Sequence, residues 1–133
     1  MEETTRVTTQ NFNQQLRDRT LAFAVSVQTL VRSKKVDPLN RSSVNQVLRS
    51  SSSVAANYRS ATRARSDAEY FSKICIVTEE IDEAQFWIEY LIRAGFLSES
   101  EVGEVKSEAD QLVRLFTAIK KKLKDKLESR KHQ

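Results

Sequence analysis

Residues that break or cross-link a chain are scarce in this sequence. Its 133 residues include two glycines, one proline, one cysteine and one histidine. So few turn formers exclude a β-sandwich or β-barrel, which needs a turn about every 8–12 residues. The single cysteine excludes an internal disulfide framework, and one cysteine with one histidine argues against a zinc site within one chain. We therefore expect one all-α domain over residues 1–133 with no metal and no cofactor.

Long apolar segments are missing as well. No run reaches the ~18 consecutive apolar residues that a transmembrane helix needs, and the first residues lack the apolar core of a signal peptide. From these two absences we expect a cytoplasmic protein that does not contact membranes.

Four segments carry apolar residues every three or four positions, the spacing of amphipathic helices. The predicted helices cover about residues 11–32, 38–64, 67–94 and 99–127, with flexible ends at 1–10 and 128–133. Because the connections are short, these helices predict an antiparallel up-down four-helix bundle. The expected core stripe of the first helix begins at Phe12. That of the third comprises Phe71, Ile74, Thr78, Ile81, Gln85, Ile88 and Ile92.

Local signals place the helix ends. Pro38 suits the first position of the second helix, with Asp37 as its N-cap. Ser66 and Ser98 are each followed three residues later by a glutamate, which predicts a capping box at the start of the third and fourth helices. Gly95 is expected to end the third helix in a left-handed conformation.

The third helix carries apolar residues on a second face. Ile76, Phe86, Trp87 and Tyr90 point away from its predicted core stripe. Exposed aromatic residues in a cluster are typical of protein interfaces. Two interpretations stay open at this point: an interface between subunits, or a core that is wider than the stripe suggests.

Charge is unevenly distributed along the chain. Residues 41–65 contain five basic and no acidic residues, whereas residues 66–110 contain three basic and twelve acidic ones. Arg41, Arg49, Arg59 and Arg63 fall within about 80° of one another on the second helix. They could bind phosphates of RNA or DNA, pair with the acidic outer face of a neighbouring subunit's third helix, or form a solvated helix face.

A lysine cluster ends the fourth helix. Lys120, Lys121 and Lys124 belong to it, together with Lys122 and Lys126. Lysines at a helix C-terminus complement the helix dipole, and they can also attract a polyanion. Both roles remain open.

Groups that catalyse reactions are not arranged in any recognisable pattern. The only histidine, His132, lies at the very end, and Cys75 has no histidine near it in the sequence. No glycine-rich phosphate loop occurs. We therefore expect a protein that is not an enzyme.

Several short motifs in the second and third helices resemble one known family. They are Gln46-Val47-Leu48-Arg49-Ser50, Ser53-Val54, Asn57-Tyr58, Arg63-Ala64-Arg65-Ser66, Glu69-Tyr70-Phe71, Lys73, Glu80, Glu83, Phe86-Trp87-Ile88 and Leu91. Together they resemble the bacterial four-helix-bundle proteins that are encoded in 23S rRNA intervening sequences and often carry a ribosomal-protein label. The resemblance is close over about residues 40–95. This chain departs from the family at Ser60, where the family usually has an acidic residue.

The resemblance implies an up-down bundle that assembles into a ring, commonly a pentamer. Related accessory proteins of diversity-generating retroelements form such barrels and are thought to bind nucleic acid and a reverse transcriptase. Our leading hypothesis is a homo-oligomer that binds RNA or DNA through Arg41, Arg49, Arg59, Arg63, Lys120, Lys121 and Lys124, and self-associates through Ile76, Phe86, Trp87 and Tyr90. The alternative is a structural adaptor whose basic and acidic helices pair between subunits and whose ligand is another protein.

Overall fold

The computed structural model describes residues 2–132, with side chains from residue 9 onward. Four helices follow one another in the chain: α1 (Glu2–Arg32), α2 (Arg41–Ala61), α3 (Asp67–Arg93) and α4 (Glu99–Lys131). Each packs against its sequence neighbours, and α4 returns to contact α1, so α1 and α3 are diagonal partners, as are α2 and α4. The predicted all-α antiparallel four-helix bundle is confirmed. None of the helices within residues 2–132 is long and apolar enough to cross a membrane.

The predicted caps of α3 and α4 form at the expected residues. The Ser66 hydroxyl accepts the backbone N–H of Glu69, and Ser98 forms a full capping box with Glu101. Gly95 takes φ 81°. Its N–H and that of Phe96 donate to carbonyls of the last turn of α3, as in a Schellman motif. These caps set the short turns that keep α2, α3 and α4 side by side.

The predicted start and end of α2 were wrong. The helix begins at Arg41, with Asn40 at its N-cap. Asp37 instead closes a turn through Pro38, because its carboxylate accepts the backbone N–H of Asn40 at 2.9 Å. This local hydrogen bond competes with helix formation. At the other end, the helix stops at Ala61 and residues 62–64 form a tighter turn.

Two helices are longer than their apolar pattern predicts. α1 begins at Glu2 rather than near residue 11, because no glycine or proline interrupts residues 2–10. α4 continues to Lys131 rather than ending near residue 127. Its last turns are tied to the start of α3, where Asp67 pairs with Lys126 at 3.6 Å and with Arg130. The guanidinium of Arg130 and the ammonium of Lys126 both lower the pKa of the Asp67 carboxyl, and the hydrogen bond from Arg130 has the largest effect.

The core lies between all four helices, but α3 is rotated relative to the prediction. Ile74, Ile81 and Ile88 are buried as expected, and Val77, Ala84 and Leu91 are buried too. Phe71, Thr78, Gln85 and Ile92 are only partly covered. The buried face is therefore shifted by ~60° around the axis. In α1, Phe12 was predicted in the core and is 44% exposed.

Candidate nucleic-acid and assembly surfaces

The second apolar face of α3, which we call the aromatic face, comprises Ile76 and, about 15 Å further along the helix, the three adjoining rings of Phe86, Trp87 and Tyr90. Phe86 is 52% exposed, Tyr90 46% and Ile76 36%. The rings touch one another, with centroids 4.8 Å apart for Phe86–Trp87 and 5.3 Å apart for Trp87–Tyr90. Edge-to-face contacts of this kind hold the rings in fixed positions. The patch is therefore a preformed apolar surface that the subunit itself leaves open.

Trp87 belongs to both faces of α3. Its ring is partly buried and packs against the core, unlike the more exposed Phe86 and Tyr90. The indole N–H donates to the Glu83 carboxylate at 3.3 Å. For this residue the core is wider than the predicted stripe, and the indole also contacts the exposed rings of Phe86 and Tyr90.

Arg49 lies beside this patch and is already paired. Its guanidinium contacts Glu83 at 2.6 Å and Glu80 at 3.1 Å, both on α3 of the same chain. The hydrogen bond with Glu83 raises the pKa of Arg49, and the same bond lowers the pKa of Glu83. Because two carboxylates neutralise it, Arg49 is a weaker phosphate ligand than its sequence position suggests.

The four predicted arginines of the second helix do not form one cluster. Arg41 is the first residue of α2 and Arg63 lies just beyond its end, which separates them by ~33 Å along the axis. Arg59 and Arg63 are one helical turn apart and exposed. In the part of the chain whose side chains are described, neither has an ion pair.

The lysines predicted on α4 lie at the same end of the bundle as Arg59 and Arg63. The two helices run in the same direction, and we call this end the basic end. Lys121 and Lys124 are exposed, and Lys120 is partly buried. Because α2 and α4 are diagonal partners, the arginines and the lysines occupy different sides of the basic end. The sequence alone showed neither that these groups share one end of the bundle nor that they lie on different sides of it.

Arg59 and Arg63 form one wall of a groove between α1 and α2, which we call the α1–α2 groove. Its volume is about 570 Å³. The side chains facing it are Gln14, Arg17, Asp18 and Leu21 from α1, and Ser52, Ala55, Ala56, Arg59 and Arg63 from α2. Sequence reasoning missed Arg17, since nothing in α1 alone shows which groove this arginine enters. The small residues of α2 were the available signal, because they let a neighbouring backbone or ligand approach.

Groups suited to metal binding or catalysis do not converge. Among the described side chains, 9–132, no cluster of three His, Cys, Asp or Glu residues could hold a metal ion. Cys75 is partly buried on α3, and His132 caps the end of α4. These positions offer no nucleophile paired with a base.

Comparison with known proteins gives one consistent result. A model of the 23S rRNA-intervening sequence protein family matches residues 12–118. The fold is similar to a crystal structure, at 1.70 Å resolution, of a protein with unknown function from the S23 ribosomal protein family of Bacteroides thetaiotaomicron VPI-5482. The identity is 28%, the TM-score is 0.68, and the alignment covers 80% of this chain and 98% of that one. No curated protein matches significantly.

Proposed function

The chain belongs to the 23S rRNA-intervening sequence protein family, and from this premise we propose that it is a non-enzymatic bundle that self-associates and binds RNA or DNA through its basic end. One contrast within α2 carries the proposal. Arg49 has two acidic partners on α3, whereas Arg59 and Arg63 have none among side chains 9–132. Guanidinium groups left without carboxylates are available to phosphates, which they bind with two parallel hydrogen bonds.

Self-association uses the aromatic face. Exposed aromatic clusters of this kind are enriched at the centres of protein interfaces and are unusual on monomers. A face that meets a different surface on the next subunit closes into a ring when the rotation is right. The resemblance to ring-forming relatives favours such a ring, with five subunits as the expected number.

The competing function is that of a structural adaptor. In it, Arg59 and Arg63 pair with acidic residues on α3 of the next subunit, and the ligand is another protein. The outer face of α3 does carry exposed acidic residues, including Glu79 and Asp82. Arg49 makes an α2–α3 contact of this kind within one chain, where it pairs with Glu80 and Glu83.

Charge reversal at Arg59 separates the two functions. We expect Arg59→Glu to leave the oligomer mass unchanged in light scattering and to weaken the binding of a fluorescent single-stranded RNA at low salt. The adaptor function predicts instead that the mass falls towards 15.3 kDa. Arg114→Glu is the matched control, because Arg114 is equally exposed but lies on α4, away from the groove. If the wild-type protein shows no salt-sensitive RNA binding, the nucleic-acid function is wrong.

A further inference from the structure

The α1–α2 groove holds three arginines and one carboxylate. Arg17 is half-buried at its α1 wall, opposite the exposed Arg59 and Arg63. Among side chains 9–132, Asp18 is the only acidic residue lining it, and the Gln14 side-chain amide donates to the Asp18 carboxylate at 2.9 Å. The groove therefore keeps an excess of positive charge.

Arg17 is incompletely satisfied within the subunit. Its Nη2 donates to the Gln14 side chain, but its Nε is buried and has no hydrogen-bond partner. Burying a charged donor without an acceptor is unfavourable. The side chain has no carboxylate partner in the described part of the chain either. An anion in the groove would offset this cost, because Arg17 lines the groove and a negative charge beside it stabilises the guanidinium.

The rest of the lining favours a ligand with an apolar part as well as negative charge. Leu21 borders the groove and is 57% exposed. On the opposite side, Ala55 and Ala56 leave the backbone of α2 accessible. The hydroxyl of Ser52 already donates to carbonyls of its own helix. Such a surface can hold the sugar or base of a nucleotide while the arginines hold its phosphate.

We propose that the α1–α2 groove binds the phosphate backbone of a nucleic-acid strand, with Arg17 as its inner contact and Arg59 and Arg63 as its outer contacts. This inference rests on the proposed nucleic-acid function and adds to it a specific site and a residue, Arg17, that the arginine pattern of α2 does not contain. The α4 lysines, on another side of the basic end, then contribute attraction rather than the specific contacts.

The first test measures how RNA affinity depends on salt for Arg17→Gln and for the control Arg114→Gln. Each lost phosphate contact lowers the slope of log K against log salt by about 0.7 on single strands. We expect this reduction, and a roughly tenfold loss of affinity at low salt, for Arg17→Gln only. Arg17→Lys should keep the slope and lose affinity, because lysine keeps the charge but not the planar fork. Thermal melting checks that each variant is folded. If Arg17→Gln does not fold, the affinity and salt slope of Arg17→Lys decide whether Arg17 contacts the phosphate.

The outcomes distinguish this site from the function it rests on. If the wild-type protein binds RNA and Arg17→Gln behaves like Arg114→Gln, the groove is not the site, although the nucleic-acid function stands. If the wild-type protein does not bind RNA, both the groove site and the nucleic-acid function are wrong.

A second test follows the Nε–H signals of the arginines by NMR during titration with pyrophosphate and, separately, with polyglutamate. Shifts of Arg17 and Arg59, but not Arg114, with pyrophosphate support the site. Equal shifts with polyglutamate would overturn it in favour of an acidic peptide.

Discussion

The core face of α3 is aliphatic and its second apolar face is mostly aromatic, and the two lie in different environments. Along the core face, the six buried residues from Ile74 to Leu91 are between 0 and 2% exposed. Along the aromatic face, Ile76, Phe86 and Tyr90 are 36 to 52% exposed. The packing of the bundle covers the first face. The second stays largely open among side chains 9–132, where Arg49 reaches across beside it to Glu80 and Glu83.

The core face therefore determines the stability of the subunit, and the aromatic face is the candidate surface for assembly. Apolar burial contributes roughly 25 cal/mol per Å² of surface removed from water, so the core face holds the subunit together. The exposed residues of the aromatic face remove little apolar surface from water, so they contribute little to the stability of the subunit. We therefore expect substitutions on the two faces to change different measurable quantities.

The largest effect is expected on the core face. Ile81 is fully buried, and Ile81→Ala should lower the free energy of unfolding by about 2–5 kcal/mol, because it removes buried methyl groups and leaves a cavity. Urea unfolding followed by circular dichroism measures this loss. Ile76→Ala is the matched control, since the same side chain is removed from the aromatic face of the same helix. Equal losses for the two variants at a concentration where the protein is monomeric would mean that the faces do not differ as described.

A smaller effect is expected at Trp87, where the two faces meet. Trp87→Phe keeps a ring against Phe86 and Tyr90 and removes the hydrogen bond to Glu83. Because that bond is long and borders solvent, its loss should lower the free energy of unfolding by ~1 kcal/mol or less. The melting temperature and the light-scattering mass together check this. A loss as large as that of Ile81→Ala would show that the indole belongs mainly to the core face, because the smaller ring would then leave a cavity.

Much of the fold could be predicted because its signals are local. Ser66, Ser98 and Gly95 act on backbone groups a few residues away, so their roles follow from spacing alone. The turn at Asp37 was misjudged since a capping aspartate and a turn-closing aspartate have the same sequence signature before Pro38. Only the hydrogen bond to Asn40 tells them apart.

The candidate surfaces could be predicted only in part. A helix with apolar residues on two faces does not indicate which face its neighbours cover, and in the structure the buried face of α3 includes Val77, Ala84 and Leu91. The partners of Arg49 and the position of Arg17 depend in the same way on contacts between helices. The basic character of the second helix was visible in the sequence. Its division into a paired Arg49 and an Arg59 that has no ion pair among side chains 9–132 was not.

The most direct test of the account is the solution mass of the wild-type protein, measured by light scattering at several concentrations beside Phe86→Ser. Because Phe86 is exposed on the aromatic face, the substitution should leave the subunit folded. The account predicts a wild-type mass that is a fixed multiple of 15.3 kDa, and a shift of Phe86→Ser towards the single subunit. A folded wild-type protein that stays at 15.3 kDa at the highest attainable concentration would contradict it.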